Sequence, residues 1–230
     1  MPKVDEEHFT EIKNQILQAA FEVCKRKPAY EVTMSDIVAE TGMSQGGVYK
    51  YFNNIDSLLA ALIDKANSVG NYKTEIDTVM ASGKSSVKKI QELFDLSERY
   101  FSDMLISYNK ILFELSSLFA YNPEKQKAIY KQVNTFSTFE YLTKCAAETI
   151  IKGVQKGYFK PLVPVEDVMS FLVASFDGII RDITLTKCYG KSKGKKAPFQ
   201  FEEKKLINSL YISVMALLGN PKRIKGDKQK

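Results

Sequence analysis

Histidine is almost absent from this chain of 230 residues, which contains only His8. A single histidine cannot build a histidine-based metal site or a catalytic triad. The sequence also has no glycine-rich phosphate loop of the P-loop or dinucleotide-binding type. No spacing of serine with lysine, or of paired carboxylates, points to catalysis. We therefore predict a protein that is not an enzyme and that holds neither a metal nor a cofactor.

Long apolar runs are missing as well. No segment approaches the ~18 consecutive apolar residues of a membrane-spanning helix, and the N-terminal residues MPKVDEEHF are acidic and polar, unlike a secretory signal. The three cysteines, Cys24, Cys145 and Cys188, are far apart and odd in number. This pattern suits free thiols in a reducing compartment better than a disulfide framework. We expect a cytoplasmic protein with no membrane partner.

The remaining pattern is helical. Apolar residues recur at spacings of three and four along most of the chain, and neither a strand pattern nor a tandem repeat is visible. Helix-breaking residues separate the apolar segments at five places. These are Ser82-Gly83, Asn122-Pro123, Gly157 to Pro164, Gly190 to Pro198, and Gly219 to Pro221. The predicted fold class is therefore all-α, and 44% hydrophobic residues are enough for a packed core.

The densest functional pattern is TMSDIVAETGMSQGGVYKYF, from Thr33 to Phe52. Thr33 is a good N-cap, and Asp36 stands three residues later, nearly as in a capping box. Gly42 can end this first helix in the left-handed conformation. Ser44 can then cap a second helix. A helix, a glycine turn and a second helix form the unit that places a recognition helix in the major groove of DNA.

This segment and its flanks resemble the N-terminal domain of the TetR family of bacterial one-component transcription regulators. The resemblance covers residues 10–63 and depends on an ordered set of positions. These are Ile16, Ala19, Ala20, Thr33, Ile37, Gly42-Met43-Ser44, Gly46, Tyr49, Tyr51-Phe52 and Leu58. It implies a three-helix helix-turn-helix DNA-binding domain at residues 1–55 and a larger helical effector-binding and dimerisation domain at residues 56–230. It also implies a homodimer on a palindromic operator in double-stranded DNA, and a repressor that a small-molecule effector releases.

Eight residues are candidates for DNA contact. They are Thr33, Ser44, Gln45, Gly46, Gly47, Tyr49, Lys50 and Tyr51. Gln45 can read adenine and Lys50 can bind guanine or phosphate, while Gly46 lets the backbone approach a phosphate closely. The resemblance implies that the caps Thr33 and Ser44 also bind phosphates. Each residue has a structural alternative, such as a solvated glutamine, a loosely wound helix start at the two glycines, or a tyrosine that closes the core.

Two features weaken the DNA-binding prediction. Family members commonly carry a lysine at the start of the fourth helix, where it reaches a DNA phosphate, and this chain has Ile55 there; Asn53 or Asn54 would offer only a weaker, neutral hydrogen bond. Residues 1–56 carry 6 basic and 9 acidic residues, a net charge of −3, although the whole chain is +6. We expect a shallow salt dependence. A helical sensor or scaffold of the same fold, with weak or no specific DNA binding, stays open.

The excess of lysine lies near the C-terminus. Residues 187–230 carry 12 basic and 3 acidic residues, mainly in the segments 191–198 and 221–230. Such charge runs are typically a solvated loop and a solvated tail. The alternative is a second contact to nucleic acid, to an anionic ligand or to a membrane surface.

The effector and dimer sites are predicted from apolar residues outside the helix-turn-helix. Five aromatic candidates for a mainly hydrophobic effector are Tyr100, Tyr108, Phe113, Phe136 and Phe139. An aromatic stripe is more often core than pocket, and solvated helix faces account for the charges of Arg99 and Glu114. The segments 168–185 and 206–218 are apolar on more than one face. Candidate dimer contacts there are Phe171, Phe176, Gly178, Ile179, Leu210 and Val214, and the alternative is that both helices are central in the monomer.

Overall fold

The computed structural model describes the backbone of residues 3–106, 108–189 and 202–220, and the side chains of these residues except 3–5, 105 and 106. The lysine-rich segments 191–198 and 221–230 lie outside the described residues. Within the described ranges the regular structure is helical and contains no strand. The all-α prediction is therefore confirmed.

The described residues form eleven α-helices. They are α1 (Lys3–Arg26), α2 (Met34–Thr41), α3 (Gln45–Tyr49), α4 (Ile55–Asn67), α5 (Tyr72–Ala81), α6 (Ser86–Ile106), α7 (Asn109–Tyr121), α8 (Pro123–Tyr130), α9 (Thr138–Gln155), α10 (Val165–Thr184) and α11 (Glu203–Leu217). A short 3-10 turn at Ala29–Glu31 follows α1, and a π-helical turn at Leu185–Tyr189 extends α10. None of the described helices is both long and apolar enough to cross a membrane.

The helices divide into two compact units. The first consists of Met1–Ser68 with Ile106–Thr135, and the second consists of Val69–Leu105 with Phe136–Lys230. Helices α4, α7 and α8 thus belong to the same packing unit as the helix-turn-helix. The predicted functional division at residues 55 and 56 stays a prediction, and it falls at the first residue of α4.

The core of the first unit draws buried side chains from all of its helices. These include Ile16 and Ala20 of α1, Ile37 of α2, Val48 of α3, Leu58 and Leu62 of α4, Leu115 of α7 and Ile129 of α8. In this core α1 packs on α2 and α4, α4 packs on α8, and α7 packs on the 3-10 turn. Because α7 and α8 supply part of this core, the helix-turn-helix is supported by chain that follows it by more than fifty residues.

The core of the second unit is dominated by aromatic rings. In this unit α5 packs on α9, and α10 packs on both α9 and α11. Ring-to-ring contacts with centroids 5.2 to 5.8 Å apart connect a group that we call the aromatic cluster. Its members are Tyr72, Phe94, Tyr100, Phe101, Phe139, Phe176 and Tyr211. Tilted and edge-to-face packing of this kind stabilises a core beyond simple burial of apolar area.

Candidate nucleic-acid interface

The start of α2 is fixed by a capping box that the sequence predicts. The Thr33 hydroxyl accepts a hydrogen bond from the Asp36 backbone N–H at 3.3 Å, and the Asp36 carboxylate accepts one from the Thr33 N–H at 2.8 Å. Lys27 Nζ lies 2.8 Å from the same carboxylate. Lys27 and then Thr33 lower the pKa of Asp36 to about 2. Gly42, with φ +67°, then ends α2 in the left-handed conformation.

Helix α3 has one buried face and one exposed face. Ser44 caps it by accepting a hydrogen bond from the Gly47 N–H at 3.2 Å, and Val48 is fully buried. The exposed face, which we call the α3 face, consists of Gln45, Gly46, Tyr49 and Lys50. This division places four of the eight candidate DNA contacts side by side in solvent.

Tyr51 and Thr33 lie differently from these four residues. The Tyr51 ring is half-buried, with its centroid 4.7 Å from that of Phe9, so it helps to close the first unit against α1. Lys50 Nζ lies 5.9 Å from the centre of the Tyr51 ring. The Thr33 hydroxyl is exposed but engaged with Asp36. The packing of Tyr51 is the structural alternative that its sequence pattern leaves open, whereas the capping role of Thr33 is compatible with a phosphate contact.

The two glycines of α3 differ in their surroundings. A Cβ built on Gly46 would meet no atom within 4 Å, whereas one on Gly47 would lie 3.2 Å from Ser44 Oγ and 3.3 Å from Met43 Cε. A methyl group at Gly47 would therefore crowd Ser44 and Met43. At Gly46 the space is open and lies on the exposed α3 face, so packing does not account for the missing side chain there.

The basic residues at the end of α1 are paired within the first unit. Lys25 lies 2.8 Å from Glu22, Arg26 pairs with Glu40, and Lys27 pairs with Asp36. These cations are therefore already partly neutralised by neighbouring carboxylates. Among the described residues, no carboxylate lies within ion-pair distance of Lys50. Lys50 is thus the cation of the α3 face that is available to a polyanion.

A buried ion pair links α7 to the connection between α1 and α2. Glu114 is only 5% exposed; its carboxylate accepts a hydrogen bond from the Ala29 N–H at 2.8 Å and lies 2.7 Å from Lys110 Nζ. Lys110 Nζ also donates to the Cys24 carbonyl at 2.7 Å, near the end of α1. The interpretation of Glu114 as a solvated residue is therefore wrong. The four-residue spacing of Lys110 and Glu114 was the available signal, but it did not reveal partners 85 and 86 residues away.

The start of α4 carries a neutral cap and one acidic residue. The side-chain carbonyl oxygen of Asn54 accepts a hydrogen bond from the Ser57 N–H at 2.9 Å, and this oxygen therefore caps α4. Ile55 is half-buried and packs on the core of the first unit. Asp56 lies in the first turn, and Lys125 Nζ of α8 is 2.5 Å from its Oδ1. No local sequence signal indicates this ion pair, because 69 residues separate the partners.

The five effector candidates divide between the two units. Tyr108 and Phe113 lie in the first unit, where the Tyr108 ring contacts Phe21. In the second unit Tyr100 and Phe139 are members of the aromatic cluster, and burial raises the pKa of Tyr100 to about 12. Phe136 is 83% exposed. Within the second unit the structure brings Tyr100 and Phe139 together, both against Phe101; Tyr100 is buried in the core and Phe139 is half-buried.

The six dimer candidates divide by burial. Phe176, Leu210 and Val214 are buried within the second unit, where Phe176 packs on Phe94 and Phe101. These three side chains have almost no surface left for a second copy. The other three are accessible. They are Phe171, which is exposed, and the half-exposed Gly178 and Ile179.

Comparison with known proteins agrees with the arrangement of α1 to α4. Residues 16–62 match the family described as bacterial regulatory proteins, tetR family. A curated relative is the uncharacterized HTH-type transcriptional regulator YfiR of Bacillus subtilis. It is 28% identical over 181 residues, which are 79% of this chain and 84% of the relative.

Solved structures share the fold along almost the whole chain. A TetR transcription regulator from Haloarcula marismortui is 20% identical with a TM-score of 0.62, over 91% of this chain and 99% of that one. The transcriptional regulator FadR of Bacillus subtilis, solved in complex with stearoyl-CoA, is 16% identical with a TM-score of 0.55, over 90% and 98%. With the capped α2, the glycine turn and the exposed α3 face, these matches confirm the resemblance. Residues 16–62 thus match the TetR family of bacterial regulatory proteins, and the chain as a whole is similar in fold to solved TetR regulators.

Proposed function

We propose that this protein is a ligand-responsive transcription regulator that binds operator DNA through the α3 face. The observation that carries the proposal is the exposure of Gln45, Gly46, Tyr49 and Lys50 on one side of a helix whose other side is anchored by Val48. This set combines an amide that can read a base edge, an uncrowded glycine, a phenol and a cation. Such a surface suits entry into the major groove.

The proposed assembly is a homodimer on a palindromic site. The outer face of α10 supports it, because Phe171 is 42% exposed and a Cβ on Gly178 would meet no atom within 4 Å. Ile179 lies next to Gly178 and is half-exposed. A small residue flanked by apolar ones allows a second helix to approach closely. Two-fold symmetry would then present two α3 faces at a fixed spacing to the two half-sites.

The proposed regulation is release of a repressor by a small, mainly hydrophobic effector. An effector that binds one dimer state better than another shifts the population toward it, and DNA affinity falls by the coupling free energy, typically about 1–3 kcal/mol. The likeness in fold to a regulator solved with stearoyl-CoA supports an apolar ligand. Stearoyl-CoA and free stearic acid are suitable first probes, because a regulator of the same fold was solved with the former.

A gel-shift experiment with the chain's own upstream DNA, run at two salt concentrations, tests the DNA-binding proposal. We expect specific binding that the double variant Tyr49→Ala/Lys50→Ala abolishes. A matched control is Tyr121→Ala/Lys127→Ala, which removes an exposed tyrosine and an exposed lysine of the same unit outside the α3 face. Equally weak binding to any duplex, unchanged by either double variant, would favour the sensor or scaffold of the same fold.

Native mass spectrometry of the purified protein, which detects molecules that remain bound to it, tests the effector proposal. We expect it to find a co-purified apolar molecule. We also expect this molecule, stearoyl-CoA or stearic acid to weaken DNA binding, so that the gel-shift midpoint moves to a higher protein concentration. An effector that is small, highly charged and without an apolar part would contradict the proposed ligand class.

A further inference from the structure

Among the described residues from 25 to 56, most of the cations are paired with carboxylates. Lys25, Arg26 and Lys27 are paired with carboxylates of their own unit, and Lys50 remains on the α3 face. Ile55 provides no charge at the start of α4, and Asp56 directly after it is acidic. A carboxylate at this position repels a phosphate backbone, so the start of α4 would oppose binding if nothing neutralised it.

Helix α8 brings a lysine to this position from a distant part of the chain. Lys125 Nζ lies 2.5 Å from Asp56 Oδ1 at the start of α4. At the other end of α4, Asp64 accepts hydrogen bonds from the Asn134 and Thr135 backbone N–H groups, both at 2.9 Å. These two contacts show that α8 runs beside α4 in the same direction. The N-terminal end of α8 therefore lies beside the N-terminal end of α4.

Lys125 lies on the side of α8 that packs against α4. Lys125 and the fully buried Ile129 are four residues apart, so they share the face that α8 turns toward α4. Lys127 is two residues from Lys125 and lies on the exposed side of the same helix. The Lys125 side chain keeps 33% of its surface exposed, so this residue contacts both Asp56 and solvent.

We infer that Lys125 is an additional DNA-backbone contact, which binds a phosphate beside the start of α4 while it neutralises Asp56. The inference depends on the proposed DNA binding through the α3 face. Helix α4 begins at Ile55, six residues after α3 ends at Tyr49, so the N-terminal end of α4, where Lys125 meets Asp56, is the end that follows the α3 face in the chain. A phosphate contact of this kind positions the protein and carries no sequence information.

Fluorescence anisotropy with two duplexes at several salt concentrations tests this inference. One duplex carries a site selected by the wild-type protein from a random library, and the other has a scrambled sequence. For Lys125→Met we expect Kd to rise roughly tenfold on both duplexes, and the slope of log K against log salt to become shallower by about 0.9 for each bound protomer. Lys127→Met is the matched control and should leave both quantities unchanged. Lys125→Arg should retain them.

A double variant separates direct contact from mere neutralisation of Asp56. In Asp56→Asn/Lys125→Met both charges are gone, so no unpaired carboxylate remains next to the duplex. We expect this protein to keep the shallower salt slope and a weaker Kd than the wild type. Recovery of the wild-type slope and Kd would overturn the inference, because Lys125 would then serve only to neutralise Asp56. Thermal unfolding of each variant verifies that the fold is retained.

The same titrations distinguish failure of the inference from failure of the proposed function. If Tyr49→Ala/Lys50→Ala abolishes specific binding while Lys125→Met equals the wild type, the regulator stands and the Lys125 contact is rejected. If the wild type does not prefer the selected duplex over the scrambled one, the DNA-binding proposal fails and the Lys125 contact is rejected with it.

Discussion

The two units of the chain use their buried residues in different ways. The first unit combines an aliphatic core with polar links that fix backbone ends, such as the Thr33–Asp36 capping box and the Lys110–Glu114 pair. The second unit is centred on the aromatic cluster, whose rings contact one another. A surface that must match a DNA groove depends on accurate placement of short helices, which directional hydrogen bonds provide. A unit that must accommodate an effector tolerates packing by rings, which is less directional.

A substitution in the aromatic cluster should cause the largest loss in the free energy of unfolding. Phe176→Ala should lower the free energy of unfolding by about 3–5 kcal/mol, because it leaves a cavity beside Phe94, Phe101 and Phe139. Phe171→Ala, on the exposed side of the same helix, should change it by less than about 0.5 kcal/mol at fixed protein concentration and should weaken self-association instead. Urea unfolding and analytical ultracentrifugation measure the two effects. Equal unfolding effects would contradict the division of α10 into a core side and an outer side.

The buried ion pair of the first unit should give the next largest effect. Glu114→Ala leaves Lys110 without its carboxylate and the Ala29 N–H without its acceptor, at a cost of about 3 kcal/mol in the free energy of unfolding. Glu40→Ala removes the partner of Arg26 at a more exposed site and should cost at most about 1 kcal/mol. Urea unfolding of the two variants provides the comparison. Similar small losses would show that the polar link does not hold α7 to the α1–α2 connection.

The capping box of α2 should appear in the pH dependence of stability. Lys27 and Thr33 hold the pKa of Asp36 at about 2, below its ordinary value of 3.8. A lowered pKa means that Asp36 contributes stability above about pH 4 and loses that contribution as the pH falls toward 2. The difference in unfolding free energy between wild type and Asp36→Asn should shrink over this interval. A difference that stays constant from about pH 5 to pH 2 would contradict the ionised capping box.

Substitution of the two glycines of α3 by alanine should cause the smallest changes in stability, and the two changes should differ. Gly46→Ala should raise the free energy of unfolding by up to about 1 kcal/mol, since alanine favours a helix and the space is open. It should nevertheless weaken DNA binding, because the added methyl group lies on the α3 face. Gly47→Ala should not stabilise the protein, because its Cβ would crowd Ser44 Oγ. Thermal unfolding and gel shifts report the two quantities, and unchanged DNA affinity in Gly46→Ala would place Gly46 outside the interface.

The chemistry of near neighbours could be predicted from the sequence. Thr33, Gly42 and Ser44 form their hydrogen bonds with residues at most four positions away in the chain. The local order of residues is therefore enough to predict the two helix caps and the glycine turn. Lys110 and Lys125 reach partners far away in the chain, and no local pattern indicates such pairs. Helix α10 is apolar on more than one face, so its pattern could not decide that Phe176 points inward and Phe171 outward. The effector residues were predicted from composition alone, which does not distinguish a packed ring from a pocket wall.

Hydroxyl-radical footprinting of the wild-type protein on its selected duplex is the decisive test of DNA recognition by paired α3 faces. Such recognition predicts two protected patches related by two-fold symmetry and separated by about one helical turn of roughly 10 base pairs, or a multiple of it. Both patches should vanish in Tyr49→Ala/Lys50→Ala and persist in Tyr121→Ala/Lys127→Ala. A single patch, or protection that survives the loss of Tyr49 and Lys50, would contradict DNA recognition by paired α3 faces.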